Sequence, residues 1–303
     1  MSKGFRQRLA ERQAAVRSLV CVGLDPLDEN LPDCLKSEYP SAHLAMDIVT
    51  WMELIVDLTA PFACMYKPQK AHWEAFPNGA LALQKLVTYI RRRYPNIPIF
   101  LDCKRGDIAR TQKCYRIAQF EIDGVDGMNF SPYMGSECMS SLVDENHVER
   151  AIVGLCYTSN KSAREVQDVK IFDGRHYWEF IAERTLEWAN NLGIVENAGL
   201  VMAAAYELPP KGSGNVFSWH LKRCREIVGK SLWFLIPGVG TQEGAVKQTV
   251  QYAYAGPGST AINSSSAIIF ASSGEDFANA AAIKAKKLRD DIDAAMKNFS
   301  YEY

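Results

Sequence analysis

Eight short apolar runs, separated by stretches with helical periodicity, constrain this 303-residue chain more than any other feature. The runs are SLVCVGLD (18–25), FACMYK (62–67), IPIFLDCK (97–104), GMNFS (127–131), AIVGLCYTS (151–159), GLVMAAA (199–205), SLWFLIPG (231–238) and TAINSS (260–265). Amphipathic spacing predicts helices over 43–58, 78–93, 108–120, 173–192, 216–228 and 274–296, with weaker helical signal in the other gaps. Runs so uniformly apolar suit strands buried on both faces, as in a parallel sheet covered by helices. Open doubly wound sheets usually carry about five or six strands, so eight β/α units predict a closed (β/α)₈ barrel. No repeat, low-complexity tract or linker divides the chain, and one domain over 1–303 is expected. The polar stretch 159–173 (SNKSAREVQDVKIFD) reads as a mobile loop over a site, and 208–215 (LPPKGSGN) as a plain turn-rich connection.

Charge and composition exclude several classes. Lys and Arg number 34 against 35 Asp and Glu, a net charge of −1 that argues against a nucleic-acid-binding surface. No apolar run approaches the ~18 residues that span a bilayer, so a soluble protein without membrane contact is expected. The amino-terminal MSKGFRQRLAERQAAVRSL is basic, but Glu11 interrupts it and a charged helical pattern follows. Neither a signal nor a transit peptide reads that way. Eight cysteines suggest disulfides until they are located. Cys21, Cys64, Cys103 and Cys156 lie inside apolar segments, while Cys34, Cys114, Cys138 and Cys224 are scattered. No CxxC pair occurs and no Cys/His cluster has zinc spacing, so no metal site is expected. Lone thiols imply a reducing, cytosolic setting.

The strand ends say more. Asp25, Lys67, Asp102 with Lys104, Ser159 and Gly238 all stand at or beside the carboxyl ends of the predicted strands. In a barrel those ends converge on the face that carries the active site. Charges mark strand exits in any protein, but an Asp, a Lys and an Asp-x-Lys pair on one rim favour an enzyme.

The most specific segment is DCKRGDIART, 102–111. Residues two apart on a strand share a face, so Asp102 and Lys104 are expected side by side with Cys103 turned away. The carboxylate holds the lysine charged and positioned. Asp107 falls at the start of the next helix, where the macrodipole favours an anion. With Lys67 the expected product is an alternating Lys–Asp–Lys–Asp array in a dry pocket; ordinary solvated ion pairs are the plainer alternative. The second segment is IPGVGTQEG, 236–244, where Gly238 and Gly240 precede Thr241 in a helix N-cap position. Glycines let backbone N–H groups approach an anion, and loops after the last two strands are the usual phosphate site of barrels.

DCKRGDIART resembles the DxKRGDIxxT signature of the orotidine 5′-phosphate decarboxylases, in their longer bacterial-type subgroup. CVGLDP (21–26), YKPQKAHWEAF (66–76), SPYMG (131–135), TSN (158–160), PGVGTQEG (237–244), NSS (263–265) and AIIFASSGEDF (267–277) occur in the family's order, so the resemblance covers nearly the whole chain. It implies a (β/α)₈ homodimer that needs neither cofactor nor metal and forms uridine 5′-phosphate in the last step of pyrimidine synthesis. It assigns Lys67, Asp102, Lys104 and Asp107 to the catalytic array, with Asp107 and Thr111 reaching the neighbouring subunit's site. Asp25 and Lys67 would hold ribose hydroxyls, Ser159 would read the pyrimidine edge, and Gln242 would bridge base and phosphate. Gly238 and Gly240 would lie beside the phosphate through their backbones.

One position departs from the pattern. The residue after NSS is normally a phosphate-clamping arginine and here is Ser266. Losing a charge-assisted bidentate contact costs roughly 1.5–3 kcal/mol, so weaker substrate binding is expected unless a nearby cation such as Lys161 compensates. Two rival readings remain at the level of sequence. One is a metal-dependent sugar-phosphate barrel such as a hexulose-phosphate synthase; the other is a non-catalytic nucleotide-binding barrel.

Overall fold

The computed structural model describes residues 3–37, 40–209, 214–239 and 243–303. Each predicted apolar run overlaps one barrel strand, three of which extend one residue beyond it: β1 Val20–Leu24, β2 Met65–Pro68, β3 Phe100–Arg105, β4 Gly127–Phe130, β5 Ala151–Tyr157, β6 Ala198–Met202, β7 Trp233–Pro237 and β8 Thr260–Ser264. All pair in parallel in the order β2-β1-β8-β7-β6-β5-β4-β3. Parallel bridges Tyr66↔Ile99 and Gln69↔Asp102 join β2 to β3 and close the ring. The strands are buried almost throughout because helices cover them outside and side chains fill them inside. This is the TIM-barrel fold the sequence predicts.

The helical patterns fall on Pro40–Thr59, Gly79–Arg93, Ala109–Arg116 continuing as a π-helical turn Ile117–Ile122, Tyr177–Asn191, Trp219–Val228 and Phe277–Asn298. Helix α1, Phe5–Val16, precedes the barrel and stops its amino-terminal mouth. Phe5 stacks on Trp233 at 5.3 Å and meets Phe100 edge-on at 6.3 Å, inside the ring. The helix's polar side chains bind the turns just before strands: Arg6 reaches the carbonyls of Lys230 and Ser231, Arg12 those of Ala60 and Ala63, and Gln13 that of Thr260. Arg8 pairs with buried Asp126 at 2.7 Å, and Arg91 and Arg150 share that carboxylate. The bottom of the barrel is therefore packed and plugged, which leaves the carboxyl-terminal face for chemistry.

Two connections differ from their sequence reading. The stretch 159–173 is not one irregular loop: Lys161–Ala163 forms a 3₁₀ turn that runs into the short helix Arg164–Gln167. Around 208–215 the chain forms an antiparallel hairpin arm, Tyr206–Glu207 against Val216–Phe217. Strands of two residues each leave too little alternation to be seen in a sequence. Among the described residues no helix is long and apolar enough to cross a membrane. All eight cysteines are free thiols; Cys138 and Cys224 are buried with the four expected, and only Cys34 and Cys114 are exposed.

Candidate active site

The carboxyl ends of β1, β2 and β3 bring Asp25, Lys67, Asp102 and Lys104 together. Lys67 Nζ lies 3.3 Å from Asp102 Oδ2 and 3.9 Å from Asp25 Oδ1. Lys104 Nζ lies 2.5 Å from Asp102 Oδ1. Asp102 is thus held between two ammonium groups, one on each oxygen. Burial alone would lower the Lys67 pKa, but Asp25 and Asp102 outweigh it and hold the amine above its ordinary value. Burial likewise opposes ionisation of Asp102, yet Lys67, Lys104 and Asn129 push its pKa down to about 2. Lys67 and Asp102 are therefore both charged at neutral pH. The buried Oδ1 of Asp25 faces the Lys67 ammonium but accepts no hydrogen bond.

The Asp102–Lys104 contact arises differently from the simple pleat the spacing suggests. Between Leu101 and Arg105, β3 advances four residues while β4 advances two, from Met128 to Phe130. The excess is a bulge, and Lys104 takes φ +49°, a conformation that costs a side-chain-bearing residue about 1 kcal/mol or more. Asn129, buried on β4, holds the bulge: its Oδ1 accepts the N–H groups of Cys103 at 2.9 Å and Lys104 at 2.7 Å. Its Nδ2 donates to Asp102 Oδ1 at 2.7 Å. Sequence reasoning passed over Asn129, although one amide within the apolar GMNF run is a legible signal.

The expected dry pocket is partly present. The side chains of Lys67 and Asp102 are 3% and 14% exposed, whereas that of Lys104 is 44% exposed in the single chain. Asp107 does not join the array. Its Oδ1 accepts the N–H of Ile108 at 2.8 Å, one residue before the helix Ala109–Arg116. Among the described residues no ion pair or hydrogen bond links Asp107 or exposed Thr111 to Lys67, Asp102 or Lys104. The four-membered alternation is therefore three-membered within one chain, with Asp25 as an added carboxylate.

On the far side of the rim, Gly238 follows β7 with φ +83°, and a Cβ placed there would stand 3.3 Å from that of Ser159. The loops after β5 and β7 thus touch. Gly240 and Gln242 lie outside the described residues. Ser266 is exposed at the start of a one-turn helix, Ser266–Ile269, after β8. The preceding Ser265 crosses so close to β1 that a Cβ on Gly23 would fall 1.7 Å from its Oγ. Only glycine admits that crossing.

The family model described as "Orotidine 5'-phosphate decarboxylase / HUMPS family" matches residues 18–281. A Ralstonia nicotianae protein named orotidine 5′-phosphate decarboxylase is 37% identical over 289 residues, 95% of this chain and 97% of that one. The like-named protein of Roseiflexus castenholzii is 35% identical over 282 residues, covering 93% and 94%. The solved structure of Leishmania donovani OMP decarboxylase superposes with a TM-score of 0.74 at 29% identity, covering 96% of this chain and 98% of its own. With the barrel, the rim and the charged trio already in place, these likenesses show that the chain belongs to the orotidine 5′-phosphate decarboxylase family.

Proposed function

We propose that the Lys67–Asp102–Lys104 trio is the centre at which the chain decarboxylates orotidine 5′-phosphate to uridine 5′-phosphate. The observation that carries this is the Lys104 ammonium bound to Asp102 at the open face of the barrel. Loss of CO₂ from C6 of the pyrimidine leaves an electron pair in an sp² orbital that no carbonyl can delocalise. An ammonium fixed beside C6 stabilises that pair and then delivers its proton to the carbon, and Lys104 has both roles. Asp102, kept ionised by its neighbours, stands next to the departing carboxylate and repels it. Because these charges are oriented before substrate arrives, little reorganisation is needed in the transition state.

Asp25, whose Oδ1 accepts no hydrogen bond, and Lys67 suit the ribose hydroxyls. Ser159 suits the pyrimidine edge and the backbone at Gly238 the phosphate; for Gly240 beside the phosphate and Gln242 bridging base and phosphate, the family resemblance is the support. We also propose a homodimer in which Asp107 and Thr111 complete the partner's array. Ile108 (57% exposed), next to Asp107, and Tyr133 (81%) and Met134 (49%), in the loop after β4, support this, since they offer exposed apolar surface to a second copy. A cytoplasmic location fits the free thiols.

Neither rival gains support. The relatives matched over nearly the whole chain are named orotidine 5′-phosphate decarboxylases, and the Lys67–Asp102–Lys104 trio is assembled. Incubation with orotidine 5′-phosphate plus a chelator, followed by ultraviolet absorbance, tests the reading. Conversion to uridine 5′-phosphate is expected; turnover only on added magnesium, or none, would refute it.

A further inference from the structure

We propose that Lys161 and Arg164, on the loop after β5, supply the positive charge that neutralises the substrate's phosphate. This rests on the decarboxylase reading and extends it. A phosphate monoester carries nearly two negative charges at pH 7. Within the catalytic cluster Asp25 and Asp102 already balance Lys67 and Lys104, leaving no surplus cation. Arg105, the next cation along the rim, is tied to Glu74 at 2.9 Å. Position 266 carries a neutral hydroxyl. The charge must come from elsewhere on the face.

The loop after β5 has it. A Cβ built on Gly238 would stand 3.3 Å from Ser159, so this loop lies beside the start of the glycine turn after β7. Beside Ser159 opens a cleft of about 500 Å³, lined by Lys161 and Arg164 on one side and Tyr206 and Glu207 of the hairpin arm on the other. Arg164 hydrogen-bonds the Tyr206 hydroxyl and lies 5.4 Å over its ring, so its contacts are with a phenol and not a carboxylate. Among the described residues neither Lys161 nor Arg164 forms an ion pair. Among the described residues Glu207, whose carboxylate accepts the N–H of Gly214, is the one acidic residue lining the cleft beside these two cations, and Asp168, bound by the Tyr157 hydroxyl, acts on Arg164 from outside it. The loop is also held in shape. Thr158 N–H donates to Gln167 Oε1 and Gln167 Nε2 donates to Thr158 Oγ1, each at 2.9 Å. A fixed guanidinium beside an ammonium suits a phosphate oxyanion.

The test uses Lys161→Ala, Arg164→Ala and the double variant in the full-length protein. Steady-state kinetics are measured on orotidine 5′-phosphate and on orotidine, which lacks the phosphate. Binding of uridine 5′-phosphate and of uridine is measured in parallel. The double variant is expected to lose about 10- to 100-fold in kcat/KM on the phosphorylated substrate, with a matching rise in the dissociation constant of uridine 5′-phosphate. Orotidine turnover and uridine binding should change less than about twofold, and Arg164→Lys should recover part of the loss. Equal losses with and without the phosphate would assign the loop a structural role and overturn the inference, as would no loss at all. Failure of the wild-type chain to decarboxylate orotidine 5′-phosphate would instead overturn the reading beneath it.

Discussion

Asn129 Nδ2 donates to Asp102 Oδ1 at 2.7 Å, on the same carboxylate oxygen that receives the Lys104 ammonium. Its own Oδ1 meanwhile ties down the Cys103 and Lys104 amides. One buried amide therefore fixes both the carboxylate proposed to act in catalysis and the strained backbone that carries the lysine. Asn129→Ala should leave two backbone N–H groups without acceptors and cost roughly 2–4 kcal/mol of stability. Turnover should fall about a hundredfold through misplacement of Lys104. Asn129→Asp keeps the acceptor but sets a second carboxylate against Asp102, so it should fold better than Asn129→Ala and be no more active. Denaturant melts and kcat on the two variants check this; an Asn129→Ala enzyme of wild-type activity would remove the residue from the site.

Lys104 combines the chemical role proposed for it with an unfavourable φ, and two substitutions separate them. Lys104→Ala should lower turnover by at least about a thousandfold while unfolding remains cooperative. Lys104→Gly should be equally inactive yet more stable than Lys104→Ala by about 1 kcal/mol, because glycine tolerates φ +49°. Equal stability of the two would mean that the bulge relaxes when the side chain is removed.

His220 gives a pH signature away from the Lys67–Asp102–Lys104 trio. It is 1% exposed, stacks on Phe217 at 5.4 Å, lies 4.9 Å from the Tyr157 ring and has Nε2 2.8 Å from the Ala203 carbonyl. Its Nδ1 is buried without a partner, and burial pushes its pKa down to about 4. The folded state thus binds this proton less readily than the unfolded chain does. The associated stability, up to about 3 kcal/mol, is complete above pH 6.5 and lost as pH falls toward 4. Asp102 adds its own loss only between about pH 3.8 and 2, so the windows are distinct. His220→Phe should flatten the stability profile between pH 6.5 and 4 in urea melts; an unchanged slope would assign the loss to other groups.

The sequence made the barrel legible because each buried strand is a continuous apolar run and each covering helix keeps its period. The charged rim was legible too, since Asp25, Lys67, Asp102 and Lys104 interrupt those runs at their ends. What stayed hidden depends on contacts between distant segments. The β3 bulge is set by Asn129 from the neighbouring strand, and the plug at the barrel floor by Phe5 meeting Trp233 across more than two hundred residues. The arm that walls the Lys161 cleft is only two residues wide on each side. The requirement for Gly23 is likewise invisible until Ser265 is seen to cross it.

Asp107 and Thr111 carry the proposal that the site is shared between two copies, and subunit mixing separates that from a site built within one chain. Lys104→Ala and Asp107→Ala should each be nearly inactive as pure homodimers, because every site then lacks one of the two groups. In a mixed dimer one site carries both lesions and the other neither. Random exchange makes about half of the dimers mixed, each with one intact site of two, so about a quarter of wild-type activity should return. The return should follow the rate of subunit exchange, and tagged subunits should co-purify. If Asp107 served its own chain instead, each site in a mixed dimer would still carry one lesion and activity would stay at the sum of the two parents. That outcome would place Asp107 outside the partner's site and leave the Lys67–Asp102–Lys104 trio to be completed from within its own chain.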